Sequence, residues 1–227
     1  MNRVIYNLRA ANGTEHTFEI DLERNQHGTP APASTPPEWT LLEFQRCSNC
    51  PIESTTNLWC PTALDIVPLA EPFTGSLSID RADVWVHTAE RSYFKNCDMQ
   101  TALKSMFGLV MASSACPYMA RLKPLAYFHL PFATLEETVH RIVGAYLVNQ
   151  YISQNEGKKA DWNLQDLEHL FSDLRTVNIN FMNRLRKAST EDANINAVQT
   201  FVSVSSVVEM GIDNILGKMV PLLKKGL

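Results

Sequence analysis

The sequence predicts an α+β fold in which an N-terminal, mainly antiparallel β half packs on a C-terminal helical bundle. Two observations carry this expectation. Before residue 97, "RVIYNLR", "HTFEIDLER" and "ADVWVHT" alternate apolar and polar residues, the period of a half-buried strand. From Asp98 onward the apolar residues recur every three or four positions, in runs too long for strands. With 227 residues, no repeats and no evident linker, the chain reads as one domain, 1–227, with 1–97 mainly β around a cysteine loop and 98–227 helical.

The elements follow in order. Asn12-Gly13 is a tight-turn signal that joins the first two runs into a hairpin over residues 3–24. "NQHGTPAPASTPPE" holds four prolines and reads as a surface loop. "WTLLEFQRC" resumes an extended pattern and delivers the chain into Cys47 at a strand end. "ALDIVPLAEPF" allows at most a short helix, broken by Pro68 and Pro72. "ADVWVHT" and "RSYFKN" form a second hairpin.

Four helices are expected in the second half, three of them long. Asp98 caps the first, which is apolar over most of its circumference, as suits a central helix, and stops ahead of Pro117. Thr134 and Glu137 form a capping box for the next, which runs to about Asn155 with Gly157 as its stop. The third places Leu164, Leu167, Phe171, Leu174, Val177, Phe181 and Leu185 on one face. "STEDANINA" opens the last.

Composition excludes some function classes. Hydrophobic residues at 45%, charged residues at 19% and a net charge of -4 give no basic footprint for a nucleic acid. No apolar run reaches the length of a membrane span, and the N-terminus lacks a secretory signal, so the expectation is a soluble cytoplasmic protein. The motifs G-x-x-x-x-G-K-[ST] and G-x-G-x-x-G are absent, which removes nucleotide binding by those devices. Five cysteines, an odd number, point to reduced thiols or metal ligands.

Three of the five lie in "CSNCPIESTTNLWCP". Cys47 and Cys50 have the C-x2-C spacing by which one turn of chain supplies two ligands to a tetrahedral zinc, and Cys60 can fold back as a third. Cys116 is the first candidate for the fourth, since it too ends an element and precedes a proline. His129 is the second. Cys97 suits a small core residue. Two other readings stand beside zinc: a redox or catalytic thiol, and inert reduced cysteines. A thioredoxin-like C-x-x-C requires a following helix, whereas Pro51 and a polar loop follow here. The spacing also matches neither ferredoxin pattern.

Glu137 and His140, with Asp166 and His169, have the i, i+3 spacing of di-iron bundles, but the capping box already accounts for Glu137. Arg121, His129, Arg141 and Asp192 are candidates for the polar wall of a cleft between sheet and bundle, or equally for unrelated ion pairs. An enzyme with a thiol/histidine cleft, using Cys60 or Cys116 with His129 and Arg121, is the competing functional class.

The segment "GLVMASSACPYMARLKPLAYFHLPFATLEETVHR", taken with "CSNCP", "WCP", "QY", "DWNL", "RLR" and "DANINA", resembles a family of uncharacterised bacterial proteins defined as a domain of unknown function. The resemblance runs from about Leu42 to about Ala197. It implies cysteines at positions 47, 50, 60 and 116 but not 97, and no fixed histidine at 140; it implies no substrate, cofactor or mechanism. The expectation is therefore a zinc-stabilised binding or regulatory protein with Cys47, Cys50, Cys60 and Cys116 as metal ligands.

Overall fold

The computed structural model describes residues 3–24 and 35–226. It is an α+β structure, with a four-stranded antiparallel sheet followed by helices that pack against it. Most of the proline-rich segment expected as a surface loop, 25–34, lies outside the described residues. Strands β1 (Arg3–Ala10) and β2 (Glu15–Asp21) form the first hairpin, and Gly13 takes the positive φ of 86° that its turn requires. The second hairpin is β3 (Arg81–His87) and β4 (Ser92–Asp98). The sheet order is β2-β1-β3-β4, so β1 is central, with Tyr6 opposite both Phe18 and Val86.

Period-2 patterning decides which face is buried. Val4, Tyr6 and Leu8 of β1, Ile20 of β2, Ala82, Val84 and Val86 of β3, and Cys97 of β4 turn inward and join one apolar core shared with the helices. On the outer face Trp85 and Phe94 pack ring to ring at 5.1 Å, with the Arg9 guanidinium 5.3 Å from the Trp85 ring.

Between the hairpins the structure departs from the sequence reading twice. Residues 39–47 do not form a strand. A 3-10 turn over Glu38–Thr40 leads to a single antiparallel bridge, Leu41 opposite Trp59, and the chain then turns, with Gln45 at a φ of 49°. The extended pattern was real only for the few residues that find a partner. Helix α1 (Pro61–Ala70) runs through Pro68 instead of breaking there. Pro68 is exposed and close to the helix end, so its ring faces solvent, and Pro72 falls in the 3-10 turn Glu71–Phe73 that follows.

Helical patterning takes over where expected. Helix α2 (Met99–Ala112) is capped by Asp98, whose carboxylate accepts the Thr101 N–H at 2.9 Å, and it is buried on nearly every side. It ends at Ala112, earlier than Pro117 alone requires, where the Ser113 hydroxyl bonds back to the Leu109 carbonyl at 2.8 Å. A short helix absent from the sequence reading, α3 (Lys123–Tyr127), intervenes, so five α-helices follow residue 98.

Helix α4 (Leu135–Asn155) has the complete Thr134/Glu137 capping box, and Gly157 ends it at a φ of 77°. Replacing Thr134 with Ala leaves the Glu137 N–H without its acceptor. The expected cost is about 0.5–2 kcal/mol, read as a lower urea midpoint; an unchanged midpoint would refute it.

Helix α5 (Gln165–Ala188) buries the whole predicted stripe from Leu164 to Leu185. Asp161 ties its start to α4, accepting from the Tyr146 hydroxyl and the Asp166 N–H while its own N–H donates to Gln150. Helix α6 (Ala193–Leu223) bends by 88° between Glu209 and Ile212. Among the described residues no single helix is long and apolar enough to cross a membrane.

Candidate functional site

The cysteine loop begins and ends at the Leu41–Trp59 bridge. Two backbone hydrogen bonds of 2.8 Å flank it, Leu42 N–H to the Leu58 carbonyl and Cys60 N–H to the Thr40 carbonyl. Between them none of the residues from Glu43 to Cys60 is fully buried. Cys47 and Cys50 close one turn, Cys50 N–H to the Cys47 carbonyl at 3.0 Å. The Asn49 side chain between them bonds α5 through the Asp173 carbonyl and carboxylate, both at 3.2 Å. Cys60 is the N-cap of α1 in extended conformation, with Pro61 starting the helix. Cys116 follows the end of α2, and Thr62 of α1 reaches both its sulfur and the Ser114 hydroxyl.

The charges of Cys60, Cys116 and Cys50 all act on Cys47. Burial pushes the Cys47 thiol up to about 12, and those charges push the same way while Arg184 opposes them. Burial also raises Cys60, against Arg184 and the Ala63 N–H. Burial raises Cys116 too, against the N–H groups of Met119 and Tyr118 and the Thr62 hydroxyl. Cys97 stands apart, only 4% exposed in the sheet core, as its reading as a core residue expects. Among the described residues, however, no group of three or more His, Cys, Asp or Glu side chains is spaced to hold a metal ion in the side-chain positions adopted.

Arg184 went unnoticed in the sequence. It sits on α5, 1% exposed, and donates to three carbonyls at the base of the cysteine loop: Trp39 at 2.8 Å, Leu41 at 2.6 Å and Leu42 at 2.9 Å. Among the described residues it makes no ion pair with a carboxylate. Its charge acts on the thiols of Cys47 and Cys60, favouring their ionised forms against the burial that opposes them. A second cation, Arg46, hydrogen-bonds Cys50 at the outer side of the loop.

A second candidate region lies among the helices. A cavity of about 350 Å³, partly open to solvent, is lined by α2, α4, α5, α6 and the segment preceding α4. His129 lines it and ends a hydrogen-bonded chain. The Phe132 N–H donates to the Ser105 hydroxyl at 3.1 Å, Ser105 meets the Tyr6 hydroxyl at 2.8 Å, and Tyr6 meets His129 Nε2 at 2.6 Å. One assignment satisfies every member, with each hydroxyl donating onward and neutral His129 accepting. Burial, reinforced by the Arg141 charge, pushes His129 down to about 3, which agrees with that neutral acceptor.

The four polar residues that the sequence offered either as a shared cleft wall or as unrelated ion pairs do not all meet in one cavity. His129 and Arg141 line the large cavity, whereas Arg121 lines a smaller one of about 60 Å³ that adjoins it across Leu122, Leu125, Ile142 and Phe171. Asp192 lines neither and instead accepts from the Ser78 N–H and hydroxyl at 2.7 and 2.9 Å. Cys60 and Cys116 line neither cavity.

No curated protein and no solved structure matches the chain significantly. A family model described as a domain of unknown function, DUF6901, matches residues 4–224, nearly the whole length, and the chain belongs to that family.

Proposed function

We propose that this is a cytoplasmic, single-domain binding or regulatory protein whose cysteine loop is held by one zinc ion on Cys47, Cys50, Cys60 and Cys116. The observation that carries the reading is Arg184. A buried guanidinium with only carbonyl partners is costly unless an anion stands nearby, and a zinc bound by four thiolates carries a net charge of two minus. The loop itself adds support, since eighteen residues without one fully buried side chain have little apolar burial to order them, and a structural metal supplies that order. Bringing the sulfurs onto one ion requires side-chain rotation, and a change of χ1 well moves a cysteine sulfur by about 3 Å.

The enzyme reading has less behind it. Its thiols lie outside both cavities, and burial raises Cys60 and Cys116 where a nucleophile needs a lowered thiol.

Metal analysis of tag-free protein is the test. About one zinc per chain is expected, lost when Cys47, Cys50, Cys60 or Cys116 is replaced by Ser and kept in Cys97→Ser. Protein that contains no metal and gains no thermal stability from added zinc would overturn the proposal in favour of inert thiols.

A further inference from the structure

The cavity among the helices is independent of the cysteine loop and has its own chemistry. At about 350 Å³ it falls within the size range of small-molecule sites, roughly 300–1,000 Å³. Its walls are mainly apolar, formed by side chains such as Leu109, Met111, Leu125, Phe171, Leu174 and Phe201. The charged residues in the wall are all basic: Lys104 and Arg141 line it, and no Asp or Glu does among the described residues.

The two cations are incompletely partnered. Lys104 on α2 is half-buried and makes no ion pair among the described residues. Arg141 on α4 uses Nη2 for the carbonyls of Leu125 and Phe128, both at 2.7 Å, and its other nitrogens bond no described residue. The carboxylates nearest to them are committed elsewhere. Asp98 caps α2 through Thr101, and Glu137 closes the capping box on the Thr134 N–H. Lys95 adds a third positive charge from β4, its ammonium 5.8 Å from the ring centre of Phe132, another wall residue. Burial and the Lys95 charge push Lys104 down and outweigh the opposing charge of Asp98, so a further anion beside it would relieve a cost already present in the fold.

We infer that this cavity binds a small apolar carboxylate, with its hydrocarbon part among α2, α5 and α6 and its carboxylate against Lys104 and Arg141. An apolar wall alone would accept any hydrocarbon. A basic rim without acids selects the acid over the alcohol or ester of equal length, because a charge-assisted hydrogen bond exceeds a neutral one.

The test compares straight-chain alkanoates of about six to fourteen carbons with alkanols of matched length, titrated calorimetrically into the full chain. The expected result is saturable one-to-one binding that strengthens with length and then stops improving once the cavity is full. Alkanoates should bind at least about tenfold more tightly than alkanols. Lys104→Met should weaken alkanoate binding to about the level of the matched alkanol, removing the preference, with Lys104→Gln as a polar replacement carrying the same readout. Val204→Trp, which fills the cavity from α6, should abolish binding of both. Failure of every probe to saturate, or equal binding of acids and alcohols by the unmodified chain, would overturn the inference. Neither outcome depends on the zinc proposal, which is read by metal content.

Discussion

Replacing Arg184 with Met is expected to lower the unfolding free energy by about 3–5 kcal/mol. The guanidinium donates to the carbonyls of Trp39, Leu41 and Leu42, which lie at the point where the cysteine loop begins. Methionine fills much of the same space and leaves those acceptors without donors, each costing about 1–3 kcal/mol where water cannot reach it. Arg184→Lys keeps the charge, but an ammonium cannot span three carbonyls as a planar fork does, so it should recover only part of the loss. Urea unfolding measures the energy, and the rate at which a thiol reagent modifies Cys47 and Cys60 reports whether the loop has opened. A loss below about 1 kcal/mol in Arg184→Met would show that the carbonyls find other partners.

The second large effect depends on pH. His129 is held down to about 3 by burial and by Arg141, whereas an unfolded histidine titrates near 6.5. Between those values the unfolded chain binds a proton that the folded chain refuses. Stability is therefore undiminished above pH 6.5 and falls as the pH drops below it, by up to about 1.4 kcal/mol per pH unit. Protonation would also reverse the hydrogen-bonded chain, since His129 would have to donate to Tyr6 and the Ser105 proton would lose its acceptor. Carboxylates held below their usual range, such as Asp98 and Asp192, contribute mainly below about pH 4. In the metal-free chain, where no thiolate-held zinc is released by acid, the window from pH 6.5 to about 4.5 thus isolates His129. In His129→Gln, which retains an acceptor for Tyr6, the urea midpoint should stay nearly flat across that window while the unmodified chain loses a few kcal/mol. Parallel curves for the two proteins would refute the assignment.

What the sequence disclosed and what it hid divide along a physical line. Asn12-Gly13, the Asp98 cap, the Thr134/Glu137 box, the Gly157 stop and the stripe from Leu164 to Leu185 were all legible, because each is fixed by residues within a turn or two of chain. The four cysteines were legible as candidates by their spacing and flanking prolines. Arg184 was not, since its partners lie more than 140 residues away and nothing in "RLR" distinguishes a buried arginine from a solvated one. The same holds for Tyr6, Ser105 and His129, drawn from a strand, a helix and a loop. Residues 39–47 failed for the opposite reason. Their local pattern suited a strand, but a strand requires a neighbour, and only Leu41 found one.

The connectivity of the sheet bears on how the protein is made. Its central strand pairs on one side with β2, which follows within a few residues, and on the other with β3, where Tyr6 meets Val86. A chain emerging from the ribosome can close the first ladder at once, but the second must wait until the cysteine loop, α1 and β3 have been synthesised. Throughout that interval β1 offers an open edge, and Val4, Tyr6 and Leu8 form an uncovered apolar face, the combination that templates pairing with another chain. The exposed charges of Arg3, Arg9, Glu15 and Glu19 on the hairpin work against such pairing. Exposure of the nascent hairpin is therefore set by strand order and translation speed, whatever the stability of the finished molecule.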